Sequence, residues 1–103
     1  MNPFDTARLH RLRSRYALLR DRPDRALRHA RRACEAAGDD CAELIGAMNR
    51  EVLGSVLAIM ERPDARSTRE QARSIYDQRG IYLPLILEGW PVPTSHSILR
   101  PDP

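Results

Sequence analysis

The sequence predicts an all-α fold, a small bundle of four helices, or five if a short C-terminal helix forms, around one central apolar helix and followed by an extended proline-rich tail. Three observations carry this. Residues 41–61 place Cys41, Leu44, Ile45, Met48, Val52, Val56 and Ile59 on one helical face, and Ala42, Gly46, Leu53, Leu57 and Met60 widen the apolar arc past half the circumference. The chain is 42% apolar with only 5% aromatic residues, so an aliphatic and alanine core is expected, which suits packed helices better than strands. Two Arg-Pro-Asp turns, at residues 22–24 and 62–64, divide the chain at helix-like intervals.

The first helix is expected from a cap at Asn2 or Asp5 to about Arg20, with Leu9, Leu12, Tyr16 and Leu19 as its buried seam and arginine on both flanks. Proline in the turn at residues 21–24 cannot continue that helix but suits the first turn of the next. The second helix should run from about Pro23 to Ala37, presenting Ala26, Leu27, Ala30, Ala33, Cys34 and Ala37 to a closely approaching neighbour. Gly38 is placed to end it in a left-handed conformation, and Asp39 or Asp40 to cap the central helix. A fourth helix should start at Ala65 if Asp64 is the cap, or near Thr68 if Ser67 and Glu70 form a capping box, and stop at Gly80. Its face, Ala65, Thr68, Ala72, Ile75 and Tyr76, is weakly apolar, so it is expected to be the least securely packed.

One domain, residues 1–90, fits the length of 103 residues, with 91–103 as an extended or disordered tail. Residues 81–90 (IYLPLILEGW) read as an extended segment and then one or two helical turns starting at Pro84. Ala26, Ala30 and Ala33 also lie near the small-residue positions of a tetratricopeptide hairpin. The large residues of that repeat's first helix are mostly absent and no second copy follows, so the similarity assigns no family.

All 17 basic residues are arginine, as expected of a GC-rich bacterial genome. Their distribution is informative: residues 1–37 carry a net +6 and the remainder −3. The start holds Asp5 and has no apolar signal core. The densest apolar run, residues 81–87, is broken by Pro84 and falls far short of the roughly 20 residues a membrane span needs. A cytoplasmic protein without membrane association is expected, and the two cysteines agree with a reducing compartment.

Candidate functional residues fall into four groups. Arg8, Arg11 and Arg15 on the first helix and Arg25, Arg28 and Arg32 on the second recur at i, i+3, i+7, so each set should share one face able to hold nucleic-acid phosphates. No aromatic residue is interleaved with them, which disfavours base stacking. Ala47, Arg50, Gly54 and Ala58 on the back of the central helix are expected to form a homodimer interface. Tyr82, Leu83, Leu85, Ile86 and Trp90 are expected to anchor a protein partner, because such side chains concentrate binding energy. Cys34 and Cys41 flank a turn and read as small buried residues or a reversible disulfide.

No catalytic spacing, metal-ligand set or cofactor motif is written in the chain; His10, His29 and His96 have no evident companion. The expectation is therefore a non-enzymatic interaction or regulatory protein without metal or cofactor, homodimeric and acting through protein partners. Nucleic-acid binding by the arginine faces is the alternative.

Overall fold

The computed structural model describes residues 2–37 and 43–80. Four α-helices account for 86% of them, and no strand occurs among the described residues. They are α1 (Pro3–Leu19), α2 (Pro23–Ala37), α3 (Glu43–Ile59) and α4 (Ala65–Arg79). The expected strap and tail, residues 81–103, lie outside the described residues, as do Gly38, Asp39, Asp40 and Cys41.

Each boundary has a local cause. The Asn2 side-chain oxygen accepts a hydrogen bond from the Asp5 amide at 2.8 Å, and Pro3, which has no amide proton to satisfy, occupies the first turn of α1. At the other end Arg22 N donates to Ala17 O and Asp21 N to Leu18 O, a Schellman closure with Asp21 left-handed at φ 57°. The end of α3 repeats it: Arg62 N donates to Leu57 O, Glu61 N to Ala58 O, and Glu61 has φ 56°. Both corners thus place an acidic residue where glycine is usual and follow it with Arg-Pro-Asp.

The two following helices start differently. Whereas α2 begins at the proline itself, α4 begins at Ala65 with Asp64 in the cap position. Its capping box does not form, because the Ser67 and Thr68 hydroxyls donate to the Asp64 carbonyl and Glu70 instead pairs with Arg66 at 3.1 Å. Gly80 ends the helix at φ 65°.

Two antiparallel hairpins, α1 with α2 and α3 with α4, meet along α2 and α3. The core consists of Ala47, Met48, Val52, Val56 and Leu57 of α3, Ala26, Leu27 and Ala30 of α2, Ala17 of α1, and Ala65, Ala72 and Tyr76 of α4. α3 is central to α2 and α4, but α1 leans almost wholly on α2 and reaches α3 only narrowly.

α4 packs on α3 almost alone, in keeping with its weakly apolar face, but the contact it makes is close. Gly54 lets α4 approach until a Cβ placed there would lie 3.1 Å from the Arg69 amide nitrogen and 3.4 Å from the Ala65 carbonyl, besides colliding with Arg69 Cγ. Missing side-chain bulk, rather than large apolar side chains, produces this contact.

Candidate functional site

α1 turns opposite to its expected seam. Its buried residues are Ala7, Arg11, Ser14 and Ala17, whereas Leu12, Tyr16 and Leu19 are 37%, 60% and 68% exposed and Leu9 is half-buried. The physical reason is the alanine row Ala26, Ala30 and Ala33 on α2, which is fully buried. A row of small residues on α1 lets the two backbones close on each other, and leucines would hold them apart. The polar members of the buried face are satisfied: Ser14 Oγ donates to the Ala26 carbonyl at 2.8 Å, and Arg11, only 2% exposed, donates to Asn49 Oδ1 at 2.6 Å. Asn49 Nδ2 then donates to the Ala33 carbonyl at 3.1 Å, so one buried polar bridge ties α1, α3 and α2.

The apolar stripe left outside is rimmed by charge. At 100° per residue Arg8 and Arg15 lie along one edge and Arg13 and Arg20 along the other. The Arg20 guanidinium sits 5.4 Å from the centre of the Tyr16 ring, a cation–π contact that holds the ring on the surface.

A second constellation lies on the seam between α1 and α2. His10 Nδ1 and His29 Nδ1 are 3.1 Å apart, and the rings meet edge to edge through these atoms with centroids 5.3 Å apart and planes inclined by 23°. Burial, then the nearby charges of Arg13 and Arg32, hold His10 below its ordinary 6.5. Burial and next His10 itself do the same for His29, with Arg13, Arg32 and Arg28 adding to the effect. Two histidines 19 residues apart show no motif in the sequence; only the antiparallel register of a hairpin turning at Asp21 would reveal them.

On the other hairpin, burial raises the Glu51 carboxyl above its ordinary 4.5, opposed by the Tyr76 hydroxyl and by the charges of Arg69 and Arg73. One of its oxygens, Oε2, is buried without a hydrogen-bond partner among the described residues.

The expected site residues are distributed as follows. Of the arginine sets, Arg8, Arg25, Arg28 and Arg32 are exposed and Arg15 is half-buried, but Arg11 is interior and unavailable to phosphates. Arg13, outside both sets, takes a place beside the histidines. The expected dimer face does not exist as an open surface, because Ala47 is fully buried and Gly54 is packed against α4; Arg50 is half-buried and only Ala58 is exposed. Tyr82, Leu83, Leu85, Ile86 and Trp90 lie outside the described residues. Cys34 is half-buried.

Along α2 an open groove of 350 Å³ is lined by Asp24, Leu27, Arg28, Arg31, Arg32 and Glu35, charges of both signs. No group of three or more metal-ligating side chains occurs among the described residues, and none of the described helices is long and apolar enough to cross a membrane. Comparison with family models, curated proteins and solved structures found no match.

Proposed function

We propose that this chain is a small interaction or regulatory protein that takes an amphipathic helix of another protein along the outer stripe of α1, occluding or bridging that partner. The observation that supports the reading is the outward position of Leu12, Tyr16 and Leu19 on a helix whose opposite face is already packed. Each such side chain contributes about 1.5–3 kcal/mol when fully buried, and these three are already partly covered, so an affinity in the micromolar range is expected. The arginine rim selects the partner: flanking aspartates and glutamates would complement it, and burial would strengthen those pairs. A second copy of α1 would set arginine against arginine. A heterologous, acidic-flanked helix therefore fits better than a homodimer formed on this stripe.

The test uses a fluorescent 21-residue peptide, with leucine at a and d and glutamate at e and g, titrated with the full chain at about 0.05 and 0.5 M salt. Saturable binding is expected, several-fold weaker at high salt, and lost in Leu12→Asp/Leu19→Asp, whose positions are exposed enough to leave the fold intact. Equal binding by the variant, no binding, or a stable dimer that Leu12→Asp dissociates would each overturn the reading. The nucleic-acid alternative retains Arg25, Arg28 and Arg32 on the exposed side of α2 but has lost Arg11 to the interior.

A further inference from the structure

We propose that His10 and His29 form a linear two-coordinate site for a soft monovalent metal ion, Cu(I) or its analogue Ag(I), held between their Nδ1 atoms. The site lies away from the α1 stripe and is independent of its role. The Nδ1 atoms are 3.1 Å apart, and the ring centroids, at 5.3 Å, are separated by nearly the greatest distance that this contact allows. Both ring centres and both nitrogens therefore lie close to one line, with the planes inclined by only 23°. An Nδ1 lone pair lies in its ring plane and points away from the ring centre, so each nitrogen is aimed at the other.

Such a head-on arrangement suits one coordination number. Tetrahedral and square-planar ions need donors that converge from one side of the line, and further ligands to complete the shell. Among the described residues no group of three or more metal-ligating side chains occurs. A linear ion needs only the two collinear nitrogens, and imidazole is a donor that copper accepts. Two metal–nitrogen bonds of about 2.0 Å in line span about 4 Å, so the rings must part by roughly 1 Å from their 3.1 Å contact. That movement is open to the side chains, which are partly exposed and turn on broad ring torsions. The backbones stay in place, because Ala7 and Ala17 on α1 and Ala26, Ala30 and Ala33 on α2 are packed between the helices.

The proton balance agrees with this exchange. At hydrogen-bond distance one ring donates from Nδ1 and the other accepts, so the neutral pair carries one proton on an Nδ1 and one on an Nε2. On binding, two metal–nitrogen bonds form, the donor ring's Nδ1–H bond breaks, and a proton is taken up on the same ring's bare Nε2. The pair gains a single positive charge and releases no net proton. Both Nε2 atoms point outward on opposite sides, so their protons leave the line between the Nδ1 atoms clear. Burial first, and then neighbouring positive charge, keeps both rings unprotonated near neutral pH and available as ligands. The same positive charge opposes a dication about twice as strongly as a monovalent ion.

The experiment is titration of the full chain carrying Cys34→Ser/Cys41→Ser, which removes competing thiols, with silver nitrate in chloride-free buffer at about pH 7. The nitrogen resonances of the histidine rings are followed by NMR, and proton release is read in weakly buffered solution. Saturable binding of one ion per chain is expected, with the Nδ1 resonances of His10 and His29 shifting together and no net proton released. His10→Gln or His29→Gln, each checked by circular dichroism, should weaken binding about a hundredfold or more, because one arm of a chelating pair is lost. The ring-nitrogen shifts need no histidine variant, so they decide the matter if either variant fails to fold. Anaerobic competition for Cu(I) against a chromophoric chelator should show the same dependence on both histidines.

Absence of binding, coordination through Nε2, binding that survives the loss of either histidine, or equal affinity for Zn(II) would each overturn the proposal. The last outcome would assign the pair to a bent site completed by water.

Discussion

At the scale of single residues the least expected feature is a charged side chain in the core. Arg11 is at the α1–α2–α3 junction because Asn49 accepts from its guanidinium and passes the connection to the Ala33 carbonyl. Buried polar groups are costly when a partner is removed and far less so when the whole set is replaced by apolar groups. Asn49→Ala should therefore cost about 2–3 kcal/mol in urea unfolding, while Arg11→Met combined with Asn49→Leu should cost less than Asn49→Ala alone. The reverse order would mean that the bridge contributes mainly by its volume. Residue types alone could not have placed Arg11 inside: its i, i+3, i+7 relation to Arg8 and Arg15 is also that of a solvated face.

At the scale of helices, boundaries were legible and orientations were not. Asn2 acts through its side-chain oxygen and Pro23 and Gly80 through their own backbones, so the start of α1, the start of α2 and the end of α4 follow from neighbouring residues. The orientation of α1 depends on what α2 offers. Counting apolar side chains favours Leu9, Leu12, Tyr16 and Leu19, but the closeness permitted by Ala7, Ser14 and Ala17 against Ala26, Ala30 and Ala33 outweighs it. The candidate surfaces inherit that limit: the outward stripe and the histidine pair are both products of helix pairing.

The two Schellman corners give a further expectation at this scale. A left-handed conformation costs an ordinary residue about 1–2 kcal/mol, less for aspartate, which tolerates it. Glu61→Gly should raise stability by about 0.5–1 kcal/mol after the larger chain entropy of glycine is allowed for. Asp21→Gly should gain less, and a melting temperature that falls in Glu61→Gly would show that the glutamate side chain holds the corner.

At the scale of the whole molecule, pH acts on the two hairpins in opposite directions. His10 and His29 bind protons more weakly in the folded chain, so their contribution is fully present above about 6.5 and is lost as pH falls through their folded values. Glu51 binds its proton more tightly when folded, so its contribution is present below about 4.5 and is lost as pH rises through its raised value. Urea unfolding at a series of pH values should show a His10→Gln/His29→Gln variant with a smaller loss of stability than wild type on acidification below 6.5. Glu51→Gln should match wild type at low pH and exceed it increasingly as pH rises above 4.5. Parallel curves for wild type and either variant would remove that group from the account.

The alanine-lined seam between α1 and α2 also bears on temperature. An alanine has no rotamers to lose, so the seam orders without the side-chain entropy that a leucine zipper would surrender. It also hides little hydrocarbon per residue, and the heat-capacity change on unfolding scales with that area. The hairpin therefore gains its cohesion from close contact more than from dehydration, and its share of the stability curve is a shallow arc that varies little between cold and warm water.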